Sequence, residues 1–316
     1  MLSDAPSSRP HKTSHGVHRI QHLAVAVTFF YDESRFQYLD QIATHFPHLA
    51  RATSVWVVTN SHEPSQHDRI RESFAGCDVH IVVPNYLGHP HLLPWVHRDV
   101  FRALFDERPD ITHFLYVEDD LEIRPETVDY WLEARDVLAP FGLIPSFLRV
   151  EYNEDGVAYS SDVYRREHIK NLPRLEDEEG YWVNIRYPYQ GCYLMDRELF
   201  GEFLSSRTFS PDSGSWNIRE KASQGLIYAN VPSGCLSRAF IRLDRHGRVN
   251  PAAYVRHLPN NYVAQKQNKY GSIPADDIVS MGKFFTPTWV RDLRKLVSIR
   301  IPKRRSFMVR DLRSSS

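Results

Sequence analysis

Residues 113–120 read HFLYVEDD, an apolar run that ends abruptly in three carboxylates. The apolar part, residues 113–117, is bounded by polar sequence, which is typical of a short buried strand in a parallel sheet. Successive side chains of a strand point to opposite faces, so Glu118 and Asp120 are expected on one face and Asp119 on the other. The sequence therefore predicts a buried strand with a cluster of negative charge at its carboxyl end.

Three similar runs precede this strand, and stretches with helical spacing separate them. The runs are LAVAVTFF (residues 23–30), SVWVVTN (54–60) and VHIVVP (79–84). Helices are predicted over residues 32–46, 67–74, 94–107 and 125–138, the last two starting at a proline, a favoured first-turn residue. Alternation of strand and helix predicts an α/β fold with a mostly parallel central sheet flanked by helices. Ligands of such sheets bind beyond the carboxyl ends of the strands.

After about residue 140 the pattern becomes a mixed α+β region. Strands are expected over residues 145–152, 156–161, 191–195 and 237–244, helices over 196–204 and 216–228, and a charged loop over 171–186. We interpret residues 20–289 as one domain with two halves, 20–140 and 141–289, the second shaping a substrate site. Residues 1–19 are expected to be a disordered leader, and residues 290–316 a basic tail.

The 316 residues contain 39 basic and 39 acidic side chains, and 42% of the residues are hydrophobic. This composition excludes a disordered chain or a collagen-like chain, and zero net charge argues against a protein built to bind nucleic acid. Nine Lys or Arg and two Asp or Glu give residues 290–316 a charge of +7, so residues 1–289 carry −7. Either the tail is simply solvated, or it attaches the protein peripherally to an anionic membrane.

The three cysteines do not form a CxxC motif, and their odd number indicates no disulfide framework. No apolar run approaches the length of about 20 residues that a membrane span needs. The first 18 residues lack the apolar segment of a secretory signal. The sequence therefore predicts a cytoplasmic protein, with peripheral membrane association as an option.

Three adjacent carboxylates repel one another, and a divalent cation with a preference for oxygen ligands, Mg²⁺ or Mn²⁺, would relieve that repulsion. Mg²⁺ usually takes one or two protein carboxylates and completes its shell with substrate phosphates. The alternative is a solvated acidic turn that favours the N-terminus of the helix starting at Pro125. The acidic strand end thus predicts a metal site and a phosphate-bearing substrate.

The segment LYVEDD, residues 115–120, resembles the Asp-x-Asp region of GT-A fold glycosyltransferases. In that family an acidic motif ends a central strand and holds a divalent metal that bridges the diphosphate of a nucleotide-sugar. The resemblance implies a GT-A-like (Rossmann-like) fold, Asp120 as the metal ligand, and donor contacts from Asp119 and Glu118. It covers roughly residues 20–260, and because its motifs are short, their order along the chain is the stronger argument.

The resemblance also implies donor-binding positions elsewhere. Thr28, Phe29 and Phe30 follow the first strand where the family holds the nucleotide base, and Asn60 ends the second strand. Gly191, in YPYQGCY, matches a loop beside the donor sugar, where a glycine allows close approach of the backbone. The alternatives are ordinary core aromatics and a tight turn.

Two further assignments concern the metal and the phosphates. A late histidine, His257, matches the position of a second protein ligand to the metal. In the segment HPHLLPWVHR, residues 89–98, either His97 or Arg98 is expected to meet the donor phosphates, and Arg98 is the residue selected. The His-x-His pair invites a zinc interpretation, but its spacing matches no known zinc module.

Inverting members of the family use a carboxylate to take the proton of the acceptor hydroxyl as it attacks. Glu220 lies where that base is expected, and Asp212 on a Ser/Gly-rich loop is the reserve candidate. Alternatively, Asn217 and Glu220 form a capping box at a helix start. A retaining enzyme would need no such base.

The sequence therefore predicts a metal-dependent glycosyltransferase that moves a sugar from a nucleotide-diphosphate sugar to a hydroxyl of a glycan, lipid-linked or protein acceptor. A nucleotidyltransferase acting on a sugar phosphate is an alternative, but it should carry a glycine-rich phosphate loop with a basic residue soon after the first strand. Residues 29–35, FFYDESR, contain no glycine. A non-catalytic sugar-binding module is the third option.

Overall fold

The computed structural model describes residues 20–186, 189–265 and 269–282, together with the backbone of residues 298–300. In chain order the strands are β1 (His22–Phe29), β2 (Ala52–Thr59), β3 (Asp78–Val82), β4 (His113–Glu118), β5 (Leu121–Glu122), β6 (Ile144–Pro145), β7 (Leu148–Tyr152), β8 (Ala158–Ser160), β9 (Glu167–His168), β10 (Arg174–Glu176), β11 (Gly180–Asn184), β12 (Cys192–Asp196), β13 (Ala239–Asp244), β14 (Tyr254–His257), β15 (Ile273–Pro274), β16 (Val279–Ser280) and β17 (Ser298–Arg300). The helices are α1 (Phe36–Ala43), α2 (Pro64–Ser73), α3 (His97–Glu107), α4 (Pro125–Leu138), α5 (Arg197–Ser205), α6 (Ile218–Ala222) and α7 (Asn261–Ala264).

The central sheet has the strand order β12-β4-β1-β2-β3. Strands β1, β2, β3 and β4 are parallel to one another. Only β12 runs the other way, pairing antiparallel with β4. The apolar runs of β1 and β4 are buried because helices cover the sheet; α3 packs on β1 and β2, and α5 packs on β4 and β12. The predicted α/β class with a mostly parallel central sheet is confirmed.

The aromatic core between α3, α5 and β4 explains why these helices dock on the sheet. Phe114 of β4 stacks on Phe200 of α5 with a centroid distance of 4.4 Å, and Phe101 of α3 meets Phe114 edge-on at 5.3 Å. All three rings are fully buried. The helix predicted to begin at Pro94 begins at His97 instead, because Pro90–Trp95 forms a 3₁₀ segment.

The second half of the chain forms two further five-stranded sheets, β17-β10-β11-β13-β6 and β15-β8-β7-β14-β5. The predicted loop over residues 171–186 is wrong in part, since β10 and β11 pair antiparallel there. The charges that suggested a loop are used in ion pairs at the sheet edge, such as that between Asp177 and Arg242 at 2.6 Å.

The helix predicted over residues 216–228 is also wrong in length, since α6 has five residues. Gly225 has a φ of +52°, a left-handed conformation that interrupts a helix, and a Cβ there would overlap the side chain of Met195 and crowd Tyr193, both in β12. The chain therefore leaves the helical path after α6.

The predicted leader, residues 1–19, lies outside the described residues, as does most of the 290–316 tail with its proposed membrane association. Within that tail, the backbone of β17 pairs in parallel with β10. None of the described helices combines the length and the apolar composition that a membrane span requires.

Gly191 provides a test of how tightly β12 joins β4. It has a φ of +65°, and a Cβ there would overlap Leu121 Cδ1 and lie 3.3 Å from Glu118 Oε2. We expect Gly191→Ala to lower the free energy of unfolding by about 3 kcal/mol, through left-handed strain and overpacking.

Gly142→Ala is the matched control, because Gly142 has a φ of +66° and its Cβ would meet no described atom within 4 Å. Only the left-handed strain should lower its free energy of unfolding, by about 1–2 kcal/mol. Urea denaturation of both variants measures the difference, and equal losses would contradict the packing argument.

Candidate functional site

The carboxyl ends of β1 and β4 lie side by side, with Thr28 paired in register with Glu118. Together with Phe30, Tyr116 and the acidic residues they line a cavity of about 390 Å³, which we call the strand-end cavity. The ring of Phe30 is 50% exposed in it. The structure therefore brings the predicted acidic cluster and part of the predicted base pocket into one cavity.

Arg35, on the 3₁₀ turn after β1, is the main counter-charge to the acidic strand end. Its Nε and Nη2 donate to the two oxygens of Asp119, each at 2.6 Å, and Nη2 also donates to Asp120 Oδ2 at 2.9 Å. The pair raises the pKa of the Arg35 guanidinium above its ordinary value. The sequence analysis missed Arg35; its signal was a lone basic residue directly after the first strand.

Glu118 is held differently from the two aspartates. Burial, and next the charge of Asp120, raise its pKa, while Tyr189 donates its hydroxyl to Glu118 Oε1 at 2.9 Å. The backbone of Gly191 was predicted to approach the donor sugar closely. In the structure it approaches Glu118, because the Gly191 carbonyl accepts from Glu118 N–H at 3.2 Å. Gly191 thus shapes the carboxylate cluster from the protein side.

Asp120 and His257 lie together as predicted, with His257 Nε2 at 3.7 Å from Asp120 Oδ2. Asp120 is 8% exposed, and its Oδ1 is buried without a hydrogen-bond partner among the described residues. A buried carboxylate oxygen without a partner is costly, and a cation would satisfy it. His257 Nδ1 contacts Glu151, so Nε2 remains the nitrogen available to a ligand.

These two residues fit a divalent cation that takes few protein ligands. No group of three His, Cys, Asp or Glu in the described part of the chain is arranged to hold a metal ion. Mg²⁺ and Mn²⁺ accept such an incomplete protein shell when substrate phosphates and water supply the remaining oxygens. The site is therefore suited to a metal that arrives with a phosphate-bearing ligand.

A second cavity of about 520 Å³ adjoins the first, and we call it the aromatic cavity. His91 and Arg219 line both cavities, so the two spaces meet at these basic side chains. The Glu118 carboxylate raises the pKa of Arg219, which keeps its guanidinium charged. The aromatic lining comprises Tyr164, Tyr189, Trp216, Tyr262 and Tyr270.

The two candidate bases occupy different places. Glu220 of α6 lines the aromatic cavity, whereas Asp212 is exposed and accepts a hydrogen bond from Ser210 at 3.4 Å. The capping-box alternative is met only in half: Asn217 accepts from Arg219 N–H, and among the described residues Glu220 returns no bond to Asn217. Of the two, Glu220 therefore faces a space where a substrate fits.

Other predicted contacts have structural roles. Arg98 is 2% exposed and donates to the carbonyls of Thr208, Lys221 and Ala222, at 2.5, 3.1 and 3.2 Å, which fastens α3 to α6. The prediction that Arg98 meets the donor phosphates is therefore wrong, since Arg98 lines neither the strand-end cavity nor the aromatic cavity. His97 is fully buried, with Nε2 2.6 Å from Tyr193 Oη.

Two predicted base contacts also belong to the framework of the fold. Phe29 is fully buried and packs edge-on against Phe36 at 5.1 Å, which is the core alternative. Asn60 accepts from Tyr31 N–H at 2.7 Å and so fixes the turn after β1. Thr28 and Phe30 are the two that line the strand-end cavity.

No protein-family model matches the sequence, and no curated protein matches it. Among solved structures, S. aureus TarS 1–349 aligns at 11% identity over 65% of this chain and 56% of that chain, with a TM-score of 0.37. The same protein in complex with UDP-GlcNAc aligns at 14% identity over 58% of this chain and 47% of that chain, with a TM-score of 0.34. The chain thus spans about half of each of these structures. At these TM-scores the likeness carries no inference about function, which rests on the site.

The ion pair at the strand end predicts a stability effect that a metal reverses. Arg35→Gln leaves the buried carboxylates of Asp119 and Asp120 without their guanidinium partner, so we expect the free energy of unfolding to fall by about 2 kcal/mol. This is less than the usual cost of breaking a fully buried ion pair, because Arg35 is partly exposed. Millimolar Mn²⁺ should restore part of this loss. Thermal melting with and without Mn²⁺ measures both effects.

Arg71→Gln is the control, since Arg71 pairs with Asp68 on the surface. Exposed ion pairs contribute about 0–1 kcal/mol to stability, so this variant should melt close to the parent. Mn²⁺ should shift the melting temperature of Arg71→Gln by the same amount as that of the parent. If both variants respond alike, Arg35 does not compensate the acidic strand end.

Proposed function

We propose that the protein is a metal-dependent glycosyltransferase that uses a nucleotide-diphosphate sugar. The observation that carries the proposal is the pair of adjoining cavities at the acidic strand end, one beside Asp120 and His257 and the other beside Glu220. A two-substrate transfer needs two neighbouring binding spaces with the reacting groups at their junction. The nucleotidyltransferase alternative lacks the glycine-rich phosphate loop that it should carry after the first strand.

The strand-end cavity suits the donor nucleotide. The exposed side chain of Phe30 offers an aromatic face for stacking of a base. The diphosphate would then lie toward Arg219 and His91 at the junction of the cavities, where the Arg219 guanidinium supplies a positive charge. Asp120 and His257 are the residues that would hold a Mn²⁺ or Mg²⁺ ion beside it, and such an ion neutralises the charge of the leaving diphosphate.

The aromatic cavity suits a glycan acceptor better than a lipid-linked or protein acceptor. Its walls combine the faces of Trp216 and several tyrosines with hydrogen-bonding groups of Ser161 and Asn217. Sugar rings present apolar C–H faces and polar edges, which such a lining matches. A concave space of about 520 Å³ encloses a small saccharide and excludes a folded protein surface.

In this proposal Glu220 is the base of an inverting transfer. Its carboxylate on the wall of the aromatic cavity would accept the proton of the acceptor hydroxyl as the oxygen attacks the anomeric carbon. The sugar–phosphate bond breaks in the same step, and its electron pair leaves with the diphosphate. Arg219, one residue earlier on α6, lies on the donor side of the same helix turn.

Asp120→Asn tests the metal assignment. The amide keeps the shape of the side chain but loses its charge, so Mn²⁺-dependent binding of the donor should weaken at least 10-fold. Titration calorimetry with UDP-GlcNAc as the first of a panel of nucleotide-sugars, with and without Mn²⁺, measures it. Donor binding that is as tight in Asp120→Asn as in the parent would exclude Asp120 as a metal ligand.

Glu220→Gln tests the base. The variant should bind donor as the parent does and transfer sugar at least 100-fold more slowly, since general base catalysis typically contributes about 10²–10⁴-fold. Asp212→Asn, on the exposed loop, is the matched control and should transfer at the parent rate. Full activity in Glu220→Gln would exclude Glu220 as the base and favour a retaining mechanism. If the parent protein binds donors but never transfers the sugar, a sugar-binding module is favoured instead.

A further inference from the structure

Glu151 of β7 has an exposed fraction of 0%, and a carboxylate in such a place is tolerated only when its oxygens are hydrogen-bonded. Oε1 lies 2.6 Å from His257 Nδ1. Oε2 accepts from the backbone N–H groups of Tyr262 and Val263, each at 2.8 Å. One buried carboxylate thus joins the candidate metal ligand to the segment that carries Tyr262 into the aromatic cavity.

The contact with Glu151 determines which nitrogen of His257 is free. An ionised carboxylate only accepts hydrogen bonds, so the proton of a neutral His257 lies on Nδ1. The lone pair is then on Nε2, the nitrogen that faces Asp120 Oδ2 at 3.7 Å. A carboxylate behind a histidine in this way fixes its tautomer and ring orientation for a metal.

The segment between His257 and Tyr262 is fastened to the same strands. Leu258 N–H donates to the carbonyl of Asp120 at 2.9 Å. The side chain of Asn260 accepts from Tyr152 N–H at 2.8 Å and donates to the Tyr152 carbonyl at 2.6 Å. Asn260 has a φ of +52°, an unusual conformation for a residue other than glycine, which these contacts hold in place.

We propose that Glu151 is a positioning residue for both cavities: it sets the His257 tautomer for the metal and holds Tyr262 on the acceptor side. The proposal rests on the proposed function for the meaning of the two cavities. The geometry of the carboxylate itself, with one oxygen at His257 Nδ1 and the other at the N–H groups of Tyr262 and Val263, does not depend on that function.

Glu151→Gln separates the two roles because glutamine has one accepting oxygen and one donating amide. The oxygen stays with the two N–H groups of Tyr262 and Val263, which need an acceptor. The amide then faces His257 Nδ1, which must become the acceptor, so the proton moves to Nε2. The nitrogen that should bind the metal is blocked while the Tyr262 segment keeps its partner.

The first measurement is the tautomer of His257, read by ¹⁵N NMR of histidine-labelled full-length protein, with His257→Ala used to assign the signal. Glu151→Gln should change the protonated nitrogen from Nδ1 to Nε2. It should also weaken binding of Mn²⁺, measured by electron paramagnetic resonance without any substrate, by about 10- to 100-fold. An unchanged tautomer, or a Kd for Mn²⁺ within twofold of the parent, would overturn the proposal.

The second measurement is hydrogen exchange of the Tyr262 and Val263 amides by mass spectrometry. Their protection should persist in Glu151→Gln and in His257→Ala, and should fall at least 10-fold in Glu151→Ala, which offers them no acceptor. Equal protection in Glu151→Ala and Glu151→Gln would overturn the acceptor-side role. If the parent binds no Mn²⁺ while tautomer and exchange respond as expected, the metal part of the proposed function fails and the positioning role of Glu151 stands.

Discussion

The concentration of negative charge at the end of β4 is the constraint on which the rest of the site depends. Asp119 and Asp120 are buried, and burial raises the pKa of Glu118 and Asp119, so the fold must supply positive charge and hydrogen bonds nearby. It does so from several directions: Arg35 after β1, Tyr189 before β12, and His257 at the end of β14. The segments after β1, before β12 and at the end of β14 therefore converge on the carboxyl end of β4.

This arrangement divides the basic residues of the region into two groups. Arg98 and His97 are buried in the framework that joins α3 to the rest of the fold, where they bond to carbonyls and to Tyr193. Arg219 and His91 line the cavities instead. Sequence position does not separate these groups, because all four lie near predicted helix starts; only burial in the folded chain does.

Much of the central sheet was predictable from the sequence, because continuous apolar runs with helical stretches between them have few other solutions. The acidic strand end was predictable because it ends a strong strand. His257 was singled out only by the family resemblance, which expects a late histidine near the metal, and its role as a metal ligand stays a prediction. Arg35 was not, because its partners Asp119 and Asp120 are 84 and 85 residues away in the chain. Glu151 was hidden as well, since a single carboxylate within a short predicted strand is normally assigned to the solvent face.

Strand β12 has a consequence for how the protein comes to be folded. It is supplied by residues 192–196, yet it pairs with the outer side of β4 in a sheet whose other strands are complete by residue 118. Until the ribosome has released that segment, the buried strand β4 has one open edge of unpaired backbone groups, a template for intermolecular pairing. Nascent chains that end between residues 118 and 192 therefore expose a buried, apolar strand edge that longer chains cover, and we expect chaperone binding to increase in that interval.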